Sequence, residues 1–173
     1  MRSHIYIVFC FLFLSACSSV RVQYDYDGTT DFSNYTTYNY YADMQSGLSQ
    51  LDEKRLLRIL DSTLHAKGLL LAEEPEFFID IISSEFIENS GNNVGLGIGG
   101  TGRNVGGGVS VGIPLGSSSI QRSIQFDFID SQKNSLFWQA SSKSVYKEND
   151  SPILREKRLR AVIDKVFVKY PPK

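Results

Sequence analysis

Ile120-Gln-Arg-Ser-Ile-Gln-Phe-Asp-Phe128, with the turn Asp130-Ser-Gln-Lys-Asn134 and the return run Leu136-Phe-Trp-Gln-Ala140, decides the fold class. Ile120, Ile124, Phe126 and Phe128 share one parity, and Gln121, Ser123, Gln125 and Asp127 share the other. Period two marks a strand with one buried face. Leu136, Trp138, Ala140, Ser142 and Tyr146 continue the pattern, so a hairpin is expected with these residues facing inward. Trp138 on that parity reads as core.

Elements of helical period flank this hairpin. Downstream, Ser151-Pro152 reads as an N-cap followed by proline at the first helical position. Leu159, Val162, Ile163, Val166, Phe167 and Tyr170 then form an apolar stripe, which Pro171-Pro172 stops. Upstream, Glu76–Glu88 (EFFIDIISSEFIE) is dense in Phe and Ile and reads as a central strand. Ser49–Gly68 reads as a helix, with Leu56, Leu57, Ile59, Leu60 and Leu64 on its apolar side. Asp52 is expected as its N-cap, and Gly68 suits the left-handed position that closes a helix. Val20, Val22, Tyr24 and Tyr26 alternate with Arg21, Gln23, Asp25 and Asp27, a half-buried strand. Thr36–Tyr41 is rich in β-formers. The order predicts an α+β fold, a largely antiparallel sheet with two helices packed on one face, plus a glycine-rich hairpin or flexible arm.

The glycine-rich part, about 91–118, contains GLGIGG at 95–100. Its spacing matches a dinucleotide fingerprint, but the context does not. That motif must leave a buried strand and open a helix. Here Glu88–Asn93 is polar and turn-rich, the following residues are too glycine-dense for a helix, and no acidic residue occurs between Glu88 and Asp127 to hold a ribose. Val94, Leu96 and Ile98 instead alternate with Gly95, Gly97 and Gly99. Val105, Val109, Val111, Ile113 and Leu115 alternate with Gly106, Gly108, Ser110 and Gly112. This predicts either strands with a bare glycine face or a low-complexity arm. The glycines are candidate contact residues, because a bare face admits another backbone or a flat surface.

The N-terminus carries an address. Arg2 precedes an apolar run from Ile5 to Leu14, too short to span a bilayer as a helix, and the run ends in Leu14-Ser-Ala-Cys17. This resembles a bacterial lipobox, which implies cleavage of residues 1–16 and acylation of Cys17. Each buried methylene contributes about 0.8 kcal/mol, so several acyl chains anchor a protein durably. Ser18, rather than Asp, implies sorting to the outer membrane, inner leaflet facing the periplasm, with exposure at the cell surface as the alternative. Residues 17–173 then form a single domain. Cys10 leaves with the leader and Cys17 is acylated, so no free thiol remains for a disulfide or a metal. A formal net charge of −1 offers no electrostatic footprint for nucleic acid.

Several further residues carry a resemblance. Asp31-Phe-Ser-Asn-Tyr-Thr-Thr-Tyr38, the helix end Leu64-His-Ala-Lys-Gly68, the strand Leu136-Phe-Trp-Gln-Ala-Ser141 and the close Lys169-Tyr-Pro-Pro172 together resemble the bacterial lipoprotein family called domain of unknown function 4136. The resemblance covers about Val20 to Lys173. Pro75-Glu76 stands where the family often has Ala-Asp, and Gln139-Ala140 where it often has glycine after the tryptophan pair. The resemblance implies a fold and an address and is silent on activity.

Candidate chemistry is sparse. His65 is the only histidine after the leader and sits at a helix C-terminus, where a cation suits the dipole. Asp25 and Asp27 share a face, which alternation already explains. Arg155–Arg160 holds four basic residues on the last helix, a solvated face or a contact for anionic lipid. No metal-ligand spacing and no nucleophile signature occur, and no cofactor is expected. The tyrosines, with Tyr24, Tyr26, Tyr38 and Tyr40 foremost, are either core residues or a stacking platform. The expectation is a non-enzymatic, lipid-anchored envelope protein that works as a structural or interaction module, its partner unknown and an envelope protein or glycan the candidates. The alternative is a binding module for an envelope glycan or lipid through the tyrosine face. A hydrolase of envelope polymers has no positive support.

Overall fold

The structure, a computed structural model, describes residues 20–89 and 118–172. The leader, Cys17 and the glycines at 95, 97, 99, 106, 108 and 112 lie outside the described residues.

The elements in chain order are β1 (Arg21–Tyr26), a 3-10 turn (Phe32–Asn34), β2 (Thr37–Tyr40), α1 (Gln50–Ala66), β3 (Leu70–Leu71), β4 (Phe77–Asn89), β5 (Ser118–Asp130), β6 (Leu136–Val145) and α2 (Pro152–Phe167). The strands form one sheet in the order β1-β6-β5-β4-β2-β3. The β1–β6, β6–β5 and β5–β4 pairs are antiparallel. β2 pairs in parallel with both β4 and β3. A parallel pair needs a long crossover, and α1 supplies it between β2 and β4. The fold is α+β, as the order of elements predicts, with a mostly antiparallel mixed sheet.

Both helices are closed by the chemistry of their end residues. Ser151 Oγ accepts from Leu154 N at 3.4 Å, and Pro152 occupies the first turn of α2, as expected. In α1 the cap is Ser49, whose Oγ accepts from Asp52 N at 3.3 Å. The expectation that Asp52 caps the helix is therefore corrected. Ser49 satisfies the free amide first, and Asp52 turns inward instead. At the other end Gly68 takes φ +88°, Gly68 N donates to His65 O and Leu69 N donates to Leu64 O, both at 3.0 Å. This is a Schellman closure, and the buried pair Leu64 and Leu69 adds its apolar contact.

One face of the sheet meets the helices. Phe77, Ile79 and Ile81 of β4 and Ile124, Phe126 and Phe128 of β5 pack with Leu56, Ile59, Leu60 and Leu64 of α1 and Leu159, Val162, Ile163, Val166 and Phe167 of α2. Burying each such side chain contributes on the order of 1.5–3 kcal/mol. The inward parity expected for β6 fails at its start. Phe128 pairs with Trp138 but Ile129 pairs with Leu136, so Phe137 is an extra residue. This bulge turns Phe137 inward beside Trp138, both nearly inaccessible, and leaves Leu136 exposed. A bulge is invisible to a parity count that assumes an unbroken ladder. Phe137 then stacks on Tyr35 with ring centroids 4.0 Å apart.

β4 and β5 are each 13 residues long and outreach their neighbours. Arg21 at the start of β1 lies level with Lys143, Ser123 and Ser84, and the β4–β5 ribbon continues past that level to Asn89 and Ser118. Ile87 and Ile120, directly opposite each other on this extension, are exposed, because the helices do not reach them. Both helices also begin at this end. The opposite end holds the Asp27–Tyr35 turn, the start of β4, the β5–β6 turn and the end of α2.

Candidate functional site

The four tyrosines named from the sequence do not converge. Tyr38 and Tyr40 lie on β2, and their hydroxyls donate to the same atom, Asp61 Oδ1, at 2.8 and 2.7 Å. Burial, reinforced by the Asp61 carboxylate, pushes both hydroxyls above the ordinary tyrosine range. They pin β2 to α1. Tyr24 and Tyr26 lie on β1, with β6, β5 and β4 between them and β2. These two do line an open cleft of about 440 Å³, with Trp138, Val168, Lys169, Pro171 and Pro172 completing its walls. Tyr24 Oη donates to the Lys165 carbonyl at 2.7 Å, closing the last turn of α2. Lys169 Nζ sits 5.3 Å from the Tyr24 ring centre. A cleft with aromatic and proline walls and one ammonium suits a flat apolar or sugar face that carries a negative charge.

A second cluster was hidden in the alternation. Arg122 shares the inward parity of Ile124 and Phe126, and it enters the core layer as a charge. Its Nη1 lies 3.5 Å from Asp52 Oδ2, and its Nη2 lies 2.7 Å from Glu85 Oε1. Asp52 also receives Arg155 Nη1 at 2.9 Å and Arg55 Nη1 at 2.8 Å, while only 1% of its side chain is exposed. The Arg122 guanidinium stacks 3.8 Å from the Tyr146 ring centre. Burial raises the Asp52 carboxyl, but the bonds from Arg155 and Arg55 outweigh it and hold the group below the usual carboxylate range. The adjoining cavity is about 20 Å³, room for roughly one water and no organic ligand. The cluster ties the starts of α1 and α2 to β5. The signal for it was a lone arginine on the parity of the buried Ile124, Phe126 and Phe128.

The remaining candidates are occupied by local structure. Asp25 Oδ1 accepts from Tyr26 N, and Asp27 Oδ1 accepts from the Thr29 amide and hydroxyl. The Thr29 bonds lower the Asp27 carboxyl. Asp31 caps the 3-10 turn through Ser33, and Glu76 Oε2 accepts from the amides of Thr36 and Thr37, so both are lowered as well. Glu76, where the family resemblance departs from its usual Ala-Asp, therefore holds the start of β2. Burial raises Asp130, but bonds from the Lys133 amide and the Tyr35 hydroxyl bring it below its ordinary value. Burial and that same carboxylate push Tyr35 up to about 12. His65 is exposed in the last turn of α1. In the basic run of α2, Arg155 pairs with Asp52, Arg158 with Asp150 at 2.5 Å, and Arg160 with Glu156 at 3.6 Å. Among the described residues, no group of three or more His, Cys, Asp or Glu is placed to hold a metal.

Comparison with solved structures returns the fold. A PDZ domain protein from Parabacteroides distasonis superposes with a TM-score of 0.54 at 14% identity, covering 99% of this chain and 40% of that one. The chain thus spans two fifths of that protein. PelC dodecamers from Paraburkholderia phytofirmans, in two crystal forms, superpose with TM-scores of 0.47 at 13% and 11% identity, covering 86% of this chain and 95% of theirs. No curated protein matches the sequence. Residues 22–172 match the family model described as Domain of unknown function (DUF4136). Among the described residues that stretch takes in all but the first residue of β1, the other strands, both helices, the aromatic cleft and the buried charge cluster, and the chain belongs to the DUF4136 family.

Proposed function

We propose that this protein is a lipid-anchored component of the bacterial cell envelope, non-enzymatic, that works as a structural or interaction module. One observation carries the reading: the lipobox Leu14-Ser-Ala-Cys17 ends four residues before Arg21, where the folded sheet begins. An acylated Cys17 leaves almost no tether, so the domain acts at a membrane surface. The absence of Asp at position 18 supports the outer membrane, with the periplasmic leaflet favoured. Asp27, Asp31, Glu76 and Asp130 do surround one open cleft, but each accepts hydrogen bonds from neighbouring backbone amides, which favours a structural role for them. Contact with a partner protein is assigned to the glycine-rich segment, on the sequence pattern alone. Mass spectrometry of the exported protein tests the anchor. A triacylated Cys17, and an uncut precursor that accumulates under globomycin, are expected; an unmodified cysteine rejects the reading.

A second reading is favoured by the cleft at Tyr24 and Tyr26. There the protein binds an envelope glycan or lipid, with the two rings as the stacking surface and Lys169 as the anion contact. Tyr38 and Tyr40 leave this proposal, since both hydroxyls are committed to Asp61. Binding to peptidoglycan fragments or lipopolysaccharide that survives Tyr26→Ala with Lys169→Gln rejects it.

A further inference from the structure

The two ends of the sheet differ in charge. At the end where β1 starts, Arg21, Lys143, Lys147 and Arg158 line an open groove of about 310 Å³ in which Glu88 is the one carboxylate. Arg158 is bound to Asp150, and Arg21 reaches Glu88 only at 3.9 Å in an exposed pair, which contributes little. Lys143 and Lys147 have no ion-pair partner among the described residues. At the far end, Asp27, Asp31, Glu76 and Asp130 surround an open cleft of about 440 Å³ in which Lys133 is the one cation.

Large apolar side chains also stand in water at the basic end, as Leu71, Leu136 and Val168 do towards the other. Ile153 is 81% exposed, Ile87 67% and Leu51 63%, with Leu154 and Ile120 exposed beside them. Leu51, Ile153 and Leu154 occupy the first turns of α1 and α2, and Ile87 and Ile120 face each other on the projecting ribbon.

We infer that this end of the sheet is a membrane-resting surface, in which Arg21, Lys143 and Lys147 meet the phosphates of anionic phospholipid headgroups and Ile153 and Leu154 enter the interface. The inference rests on the anchor at Cys17 and deepens it. Three residues span at most about 11 Å, so Val20 cannot leave the headgroup layer by more than roughly one Debye length. The anchor meets the fold beside the groove, since Arg21, which lines it, follows Cys17 by four residues. Cations within that distance are drawn to an anionic surface, and the acidic far end is repelled from it. The two effects act in the same sense and orient the domain with its helix starts down and the Asp27–Asp130 cleft away from the bilayer.

The test uses the chain from residue 17 with Cys17→Ser, so that binding does not depend on acylation. Co-sedimentation is measured with phosphatidylcholine vesicles and with vesicles containing 30% phosphatidylglycerol. Binding to the anionic vesicles alone, lost in 0.5 M salt, is expected. Arg21→Gln with Lys143→Gln and Lys147→Gln should weaken it by on the order of a hundredfold. Lys133→Gln, at the far end, should leave it unchanged. These positions are exposed, and circular dichroism of each variant confirms the fold. Equal binding to both vesicle types, no binding, or an unaffected triple variant overturns the surface. In cells, a photo-crosslinking residue at Ile153 should capture lipid, and capture of a protein instead overturns it. An acylated Cys17 without charge-dependent vesicle binding rejects this inference and leaves the anchor. A bare Cys17 rejects the anchor whatever the vesicles show.

Discussion

Asp52 is the residue on which the most charge converges, and its neighbours make it intolerant of change. Three arginines approach it, and two of them, Arg122 and Arg55, have at most about a fifth of their side chains exposed. Removing one partner of a buried ion pair costs about 3–5 kcal/mol, because the other charge stays buried and unpaired. Asp52→Asn should therefore lower stability by about 3 kcal/mol in urea titration. Arg58→Ala, which removes an exposed pair with Glu156, should cost under about 1 kcal/mol. The same carboxyl sets a pH dependence. Its folded pKa lies below the ordinary 3.8, so the unfolded chain takes up its proton first as pH falls. The stability it contributes is complete above the ordinary value and drains as pH drops through the folded one. Urea midpoints should fall for the natural protein below about pH 4 and fall less steeply for Asp52→Asn. Read from the sequence, Asp52 is the N-cap of α1, a place where acids are common, and that reading gives no sign of the core beneath it. What redirects it is Ser49, which takes the cap, and Arg122, which arrives from a strand 70 residues away.

Elements were legible where the period was unbroken and the ends carried their own chemistry. Both helices, the long strands and the closing glycine of α1 followed from spacing and caps. Parity was lost at Phe137, because a single inserted residue inverts the face of everything before it. Leu69–Leu71 reads as extended after the helix, and β3 lies there, but the parallel pairing of β2 with β3 and β4 has no local signature. Glycine offers a direct test at this scale. Gly68 takes φ +88° with open space around it, whereas Gly47 takes φ +71° and a Cβ there would meet the Ser83 carbonyl oxygen at 2.7 Å. Gly68→Ala should cost about 1 kcal/mol, the left-handed penalty alone. Gly47→Ala should cost more, since the 41–49 connection must also move off β4, where Ser83 N donates to Ser46 O. Thermal denaturation of the two variants checks the order. The β4–β5 ladder runs without slip from Phe77–Asp130 to Asn89–Ser118.

Across the whole molecule, the two ends of the core are held by different forces, which makes the chain's last turn more than a terminus. At the basic end the helices are tied to the sheet by charge, through Asp52, Arg122 and Arg155. At the acidic end they are tied by rings. Tyr170, beyond the last helix, is 5% exposed and lies 5.0 Å from Trp138, 5.2 Å from Phe128 and 6.0 Å from Phe32, centroid to centroid. Its carbonyl accepts from Lys67 Nζ at 2.9 Å, so the end of α1 closes on the same point. The sequence showed Tyr170 as the last member of the α2 stripe, but the ring contacts come from three other elements and belong to the tertiary fold. Tyr170→Ala should therefore cost about 3–5 kcal/mol, the value for a large aromatic removed from a core. Tyr170→Phe keeps every ring contact and should be nearly neutral, since no side-chain bond is assigned to its hydroxyl. Trp138, the single tryptophan and 1% exposed, reports on the site directly. Its emission should shift to the red in folded Tyr170→Ala and stay in place in Tyr170→Phe and in Asp52→Asn, whose lesion lies at the opposite end. If Asp52→Asn moves the tryptophan emission as far as Tyr170→Ala does, the two ends are not held independently.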